Sequence, residues 1–100
     1  MGRGQTQTAR PQPVTWTIEL SKRAENQLAK IRGPDLNRLA AAIDQLAEDP
    51  RSGDVKALQG KHRGRFRRRV GNWRLIFTIN DGILLVEVVE ILRRSSTTYS

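Results

Sequence analysis

The stretch "GRFRRRVGNWRLIF", residues 64–77, sets four arginines (Arg65, Arg67, Arg68 and Arg69) before Gly71–Asn72 and a fifth, Arg74, just after it. A guanidinium stays protonated and offers five N–H donors in a planar fork that matches a phosphate with two hydrogen bonds at once. Arginines in this number can therefore hold phosphate and stabilise charge that develops on it, but they cannot remove a proton. No other clear chemistry competes. The chain has no cysteine and one histidine, His62, so a thiolate metal site is excluded and His62 alone cannot build a zinc site. No metal and no cofactor is expected.

The charge is uneven. Residues 1–50 hold seven Lys/Arg against six Asp/Glu, a net of +1, and residues 51–100 hold eleven against four, a net of +7. A one-sided basic half favours a polyanionic partner. The alternative is an exposed basic surface that only keeps the protein soluble. No apolar run reaches membrane-spanning length; "GILLVEVVEIL" is short and carries Glu87 and Glu90. The start, "MGRGQTQTARPQP", lacks the apolar core of a secretory signal, so the cytoplasm is the expected compartment and no membrane partner is expected.

The elements that must carry the arginines follow from periodicity. Residues 1–13 have none and read as a disordered tail; residues 14–100 read as one domain. "VTWTIEL" alternates, with Val14, Trp16, Ile18 and Leu20 on one face, as in a half-buried strand. Ser21 suits the N-cap of a helix over about residues 22–32, striped by Ala24, Leu28 and Ile31. Gly33 ends it and Pro34 suits the first turn of a second helix, striped by Leu36, Leu39, Ile43 and Leu46 and ending before Asp49–Pro50. "RSGDVKALQGKHRG" reads as a loop. "RFRRRV" and "WRLIF" then flank Gly71–Asn72, and "TIN" and "ILLVEVVEIL" flank Asp81–Gly82, two hairpin signals. The expected fold is α+β, in the order β-α-α-β-β-β, with a mainly antiparallel sheet and an αα-hairpin packed on one face.

A two-residue turn at Gly71–Asn72 pairs Val70 with Trp73, Arg69 with Arg74, Arg68 with Leu75 and Arg67 with Ile76. Phe66, Val70, Trp73, Leu75, Phe77 and Ile79 then lie under the helices, and Arg65, Arg67, Arg69 and Arg74 on the other face. Arg68 is the misfit on the apolar face and must reach an edge by snorkelling. Arg69 opposite Arg74 is a like-charge pair, which destabilises a sheet. A bound phosphate reverses that cost; salt screening of an exposed face is the bland alternative.

The order of elements, "DPR" after the second helix, "VKALQG", "RFRRRVGNWRLIF" and "ILRRSSTTY" resemble the RelE/ParE toxin superfamily of bacterial toxin–antitoxin pairs, over about residues 14–99. The resemblance implies a RelE-like fold and a cognate antitoxin as partner, bound through an acidic or amphipathic segment. It leaves two branches. RelE-like members cut messenger RNA in the ribosomal decoding site; ParE-like members inhibit DNA gyrase and lack the catalytic set. The RelE-like catalytic pattern falls here on Arg67, Arg69, Arg74, Arg94 (or Arg93) and Tyr99, which favours that branch. This chain departs from it in having arginine where lysine is frequent in the first strand, and Leu92 where glycine is common.

The reaction this implies is attack of a ribose 2′-hydroxyl on the adjacent phosphate, without metal. Tyr99 is the candidate base, because neighbouring cations favour its phenolate. Lys61 and His62 are the alternatives. Lys56, Lys61, His62, Arg63, Arg65 and Arg93 are expected to contact messenger or ribosomal RNA.

Overall fold

The structure is a computed structural model and describes residues 15–93. Its elements are β1 (Thr17–Leu20), α1 (Lys22–Ala29), α2 (Gly33–Glu48), β2 (Val55–Ala57), β3 (Phe66–Val70), β4 (Trp73–Asn80) and β5 (Leu85–Arg93). They form the expected α+β fold with one additional strand. The sheet has five strands in the order β1-β5-β4-β3-β2, and only β1 and β5 pair in parallel.

The additional strand lies inside the segment expected to be loop. Val55, Lys56 and Ala57 pair with Arg68, Arg67 and Phe66. Its three residues contribute too little alternation to stand out between Gly53 and Gly60. A 3₁₀ turn at Gly60–His62 then returns the chain to β3.

Both helices lie on one face. Ser21 caps α1, its Oγ accepting from the Ala24 N–H at 3.0 Å. α1 stops at Ala29, earlier than the stripe suggests, because the Lys30 and Ile31 N–H groups bond to the third carbonyl back rather than the fourth. Gly33, at φ +70°, reverses the chain with Pro34 behind it. Ala24, Ile31, Leu39, Ala42 and Leu46 from this hairpin bury against Leu75, Phe77, Val86, Val88 and Ile91 of β4 and β5. Phe66, Val70, Trp73 and Ile79 pack around them half-buried. Full burial of one such side chain contributes about 1.5–3 kcal/mol.

The β3–β4 register is the expected one, residue for residue, and Gly71 supplies the positive φ (+59°) that a two-residue turn with glycine first demands. The β4–β5 turn is longer than expected. Asn80 pairs with Leu85, so Asp81–Leu84 all lie in the loop. The Asn80 side chain accepts from the Gly82 and Ile83 N–H groups at 3.0 and 3.3 Å, a local competitor that keeps these residues out of the ladder. Arg51, just after α2, clamps this loop with two bonds to Asp81, 3.1 and 3.0 Å.

One irregularity governs the sheet's other face. Ile76 pairs with Glu90 but Phe77 with Val88, so Val89 is an extra residue, a β-bulge in β5. Before the bulge Val86 and Val88 face the helices; after it Ile91 does, and Glu90 turns to the opposite face.

Candidate anion-binding cleft

The face opposite the helices carries a cleft of about 580 Å³, lined among others by His62, Arg65, Arg67, Arg69, Arg74 and Glu90. Its floor is Ile76, which is 6 % exposed yet stands apart from the helix-side core. The rows across the sheet follow from the pairing: Lys56, Arg67, Ile76 and Glu90 in one, then Arg69, Arg74 and Leu92 in the next. Adjacent strands lie roughly 4.8 Å apart. Arg67 and Glu90 thus stand on either side of Ile76, with Arg74 diagonal to both. The remaining lining, Leu58, Gln59, His62 and Arg65, comes from the β2–β3 connection, where the Leu58 N–H donates to the Arg65 carbonyl (2.9 Å) and the Arg65 N–H to the His62 carbonyl (3.1 Å).

The arginines differ in what holds them. Arg69 Nε lies 3.8 Å from Asp54 Oδ2, and the Arg69 N–H donates to the Asp54 carbonyl at 3.2 Å. The like-charge pair with Arg74 is therefore partly offset by a carboxylate from the β2 side. Arg67 has a different surrounding: its Nη1 is buried with no hydrogen-bond partner among the described residues. A buried, unpaired charged donor is costly, and an anion in the cleft would satisfy it. Arg68, on the apolar face, reaches the edge as expected, donating from Nη1 to the Ser52 carbonyl (3.1 Å) and from Nη2 to Gln45 Oε1 of α2.

The cleft therefore gathers Arg65, Arg67, Arg69, Arg74 and His62. Lys56 is exposed on the edge strand in the row of Arg67, and Lys61 and Arg63 are exposed on either side of His62. Arg93 does not join them. It pairs with Trp73 and its guanidinium lies 5.6 Å from the Trp73 ring centroid, on the helix-side face. The bulge is the reason: it moves Arg93 off the cleft face and Glu90 onto it. Arg94 and Tyr99 lie outside the described residues. Periodicity alone missed Glu90; the doubled apolar pair in "VEVVEIL", where alternation slips, is the signal that could have found it. Among the described residues no cluster of three or more His, Cys, Asp or Glu could hold a metal ion, and no helix is long and apolar enough to cross a membrane.

Residues 18–97 match the family model described as the ParE toxin of type II toxin–antitoxin systems, parDE. No curated protein matches the chain. Among solved structures, the Mycobacterium tuberculosis toxin–antitoxin complex RelBE2 contains a chain 26% identical to this one, with a TM-score of 0.73 over 81% of this chain and 100% of that chain. A chain of the archaeal RelE–RelB complex from Pyrococcus horikoshii is 21% identical, with a TM-score of 0.71 over 83% of this chain and 99% of that one. The isolated Escherichia coli RelE toxin is 15% identical, with a TM-score of 0.70 over 83% of this chain and 88% of that chain. The last two likenesses concern the fold. The family match spans most of the sheet and both helices, and with it the chain belongs to the ParE toxin family of type II toxin–antitoxin systems, within the RelE/ParE superfamily.

Proposed function

We propose that this toxin is a ribosome-dependent messenger RNA endonuclease that needs no metal, with its active site in the arginine cleft. The observation that carries this reading is the convergence of Arg65, Arg67, Arg69, Arg74 and His62 on the face the helices leave open. A ribose 2′-oxygen attacks the adjacent phosphorus, the bond to the 5′-oxygen breaks, and a 2′,3′-cyclic phosphate and a 5′-hydroxyl result. Negative charge gathers on the phosphorane on the way. Arg67 and Arg74, on neighbouring strands beside the Ile76 floor, are the groups proposed to take that charge; donors fixed in advance are often the largest catalytic contribution. Arg69 supports them. Arg94 and Tyr99 complete the proposed set from the sequence alone. Lys56, Lys61 and Arg63 are proposed to hold ribosomal RNA, and Arg93 to contact RNA backbone away from the cleft.

The partner proposed for the free toxin is a cognate antitoxin. Two of the similar structures are toxin–antitoxin complexes. An acidic or amphipathic segment suits a cleft of this charge. Ribosomes as target place the action in the cytoplasm.

A second reading is gyrase inhibition without nuclease activity, which the parDE description of the matching family favours. Primer extension on translated messages after induction, run beside a gyrase supercoiling assay, separates the two. Cuts inside the reading frame with normal supercoiling support the nuclease. Intact messages with blocked supercoiling replace it with the second reading.

A further inference from the structure

Among the described residues one carboxylate, Glu90, lines the cleft, and the proposed phosphate contacts give it no role. A carboxylate in a phosphate-binding cleft opposes its own ligand, so its position calls for a reason. That position is built. Glu90 faces the cleft only because of the bulge at Val89. The N-cap of α1 and one side chain within it secure the bulge: the Ser21 hydroxyl donates to the Val89 carbonyl at 2.6 Å, and Gln27 Oε1 accepts from the Ile91 N–H at 2.7 Å. They replace the strand partner that β5 lacks once β1 has ended.

We propose that Glu90 is the general base and His62 the general acid of the cleavage reaction, a proposal that rests on the nuclease reading. Transfer of a phosphoryl group between two oxygens in line asks for a proton acceptor on one side of the phosphorus and a donor on the other. The cleft holds a candidate for each: Glu90 stands on the β5 side of the Ile76 floor and Arg67 on the β3 side, and His62 lines the same cleft from the β2–β3 connection. A phosphate over Ile76 is then held by Arg67 and Arg74 between the two. The 2′-hydroxyl proton passes to a Glu90 carboxylate oxygen as the oxygen bonds to phosphorus. The 5′-oxygen leaves with its electron pair and takes a proton from the His62 imidazolium. Proton transfer through solvent then restores both groups.

The competing account makes Glu90 a structural partner of Arg23, whose Nη1 lies 3.2 Å away. Arg23 is 68 % exposed and Glu90 22 %. Exposed pairs of this kind contribute little, and removing either partner should then have the same small effect.

Single-turnover cleavage on programmed ribosomes, with thermal melts of every variant, decides between them. Glu90→Gln keeps size and shape and should slow cutting by roughly 10²–10⁴-fold. Glu90→Asp should recover part of the rate, Arg23→Ala should cut at the wild-type rate, and Tyr99→Phe should lose less than Glu90→Gln. His62→Ala should regain activity on a message with sulfur in place of the scissile 5′-oxygen, a leaving group that needs no proton; Glu90→Gln should not. If Glu90→Gln cuts like wild type, or falls only as far as Arg23→Ala, the assignment is overturned while the nuclease reading stands. A wild-type protein that cuts nothing overturns both.

Discussion

Arg67 and Arg68 are neighbours in the chain and opposites in the fold. Arg68 points to the helix side and donates from both terminal nitrogens to the Ser52 carbonyl and Gln45, closing the edge of the core, although its Nε is buried without a partner among the described residues. Arg67 points to the other side, where its Nη1 is buried without a partner among the described residues. The same contrast runs through the two faces of the sheet. One is filled by Leu75, Phe77, Val86, Val88 and Ile91 under the helices. The other has, among the described residues, one buried apolar floor residue, Ile76, among cations. A side chain's worth here depends on its face: on one side it stabilises the fold, on the other it is available to a ligand.

Breaking the core side should have the largest effect on stability. Phe77→Ala removes a fully buried ring stacked 5.8 Å from Phe66. It should cost about 3–5 kcal/mol in urea unfolding, a large part of the roughly 5–15 kcal/mol that holds a domain folded. On the open face the expectation inverts. Arg74→Ala should slow cleavage roughly 10²–10³-fold, the scale of a lost transition-state donor. Its melting temperature should stay level or rise slightly, because repulsion with Arg69 is relieved. A large fall in stability for Arg74→Ala would break the distinction between the faces.

A smaller effect is expected for antitoxin binding. Charge reversal at Arg67 together with Arg69 should weaken a cognate antitoxin and flatten the salt dependence of its affinity, measured by titration calorimetry at two ionic strengths. Unchanged affinity would move the antitoxin's site to the helices.

The smallest effect belongs to the Arg51–Asp81 clamp. The hydrogen bond from Arg51 holds the Asp81 carboxyl below its ordinary value. A carboxyl lowered in the folded state stabilises it above the unfolded pKa, near 4, and that contribution is lost as the pH falls through the folded value. Both groups are largely exposed, so Asp81→Asn should reduce the acid-side loss of stability only slightly, and less still in high salt. Melts between pH 2 and 6 would show it.

What the sequence made legible was whatever a local rule determines. A two-residue turn with glycine first sets register without slack, so Gly71–Asn72 placed Arg67, Arg69 and Arg74 together and Arg68 apart. The Ser21 cap and both helical stripes were legible for the same reason. What escaped depends on partners distant in sequence. β2 is an edge strand of three residues, recognisable by its pairing to β3 rather than by its own pattern. The bulge in β5 is held by Ser21 and Gln27, more than sixty residues away in the chain. That one extra residue decided two assignments at once, bringing Glu90 into the cleft and sending Arg93 to Trp73. The start of β5 was misjudged because the Asn80 side chain, rather than the apolar run that follows, controls the loop.

The central claim is that the open arginine face cuts RNA. Purified wild-type protein and Arg74→Ala, each added to ribosomes stalled on a defined message and read by primer extension, test it most directly. The account predicts a cut within the codon in the decoding site for wild type, ending in a 2′,3′-cyclic phosphate, and a cut slowed at least a hundredfold for Arg74→Ala with ribosome binding retained. An intact message with wild-type protein bound, or equal cutting by both proteins, would contradict it.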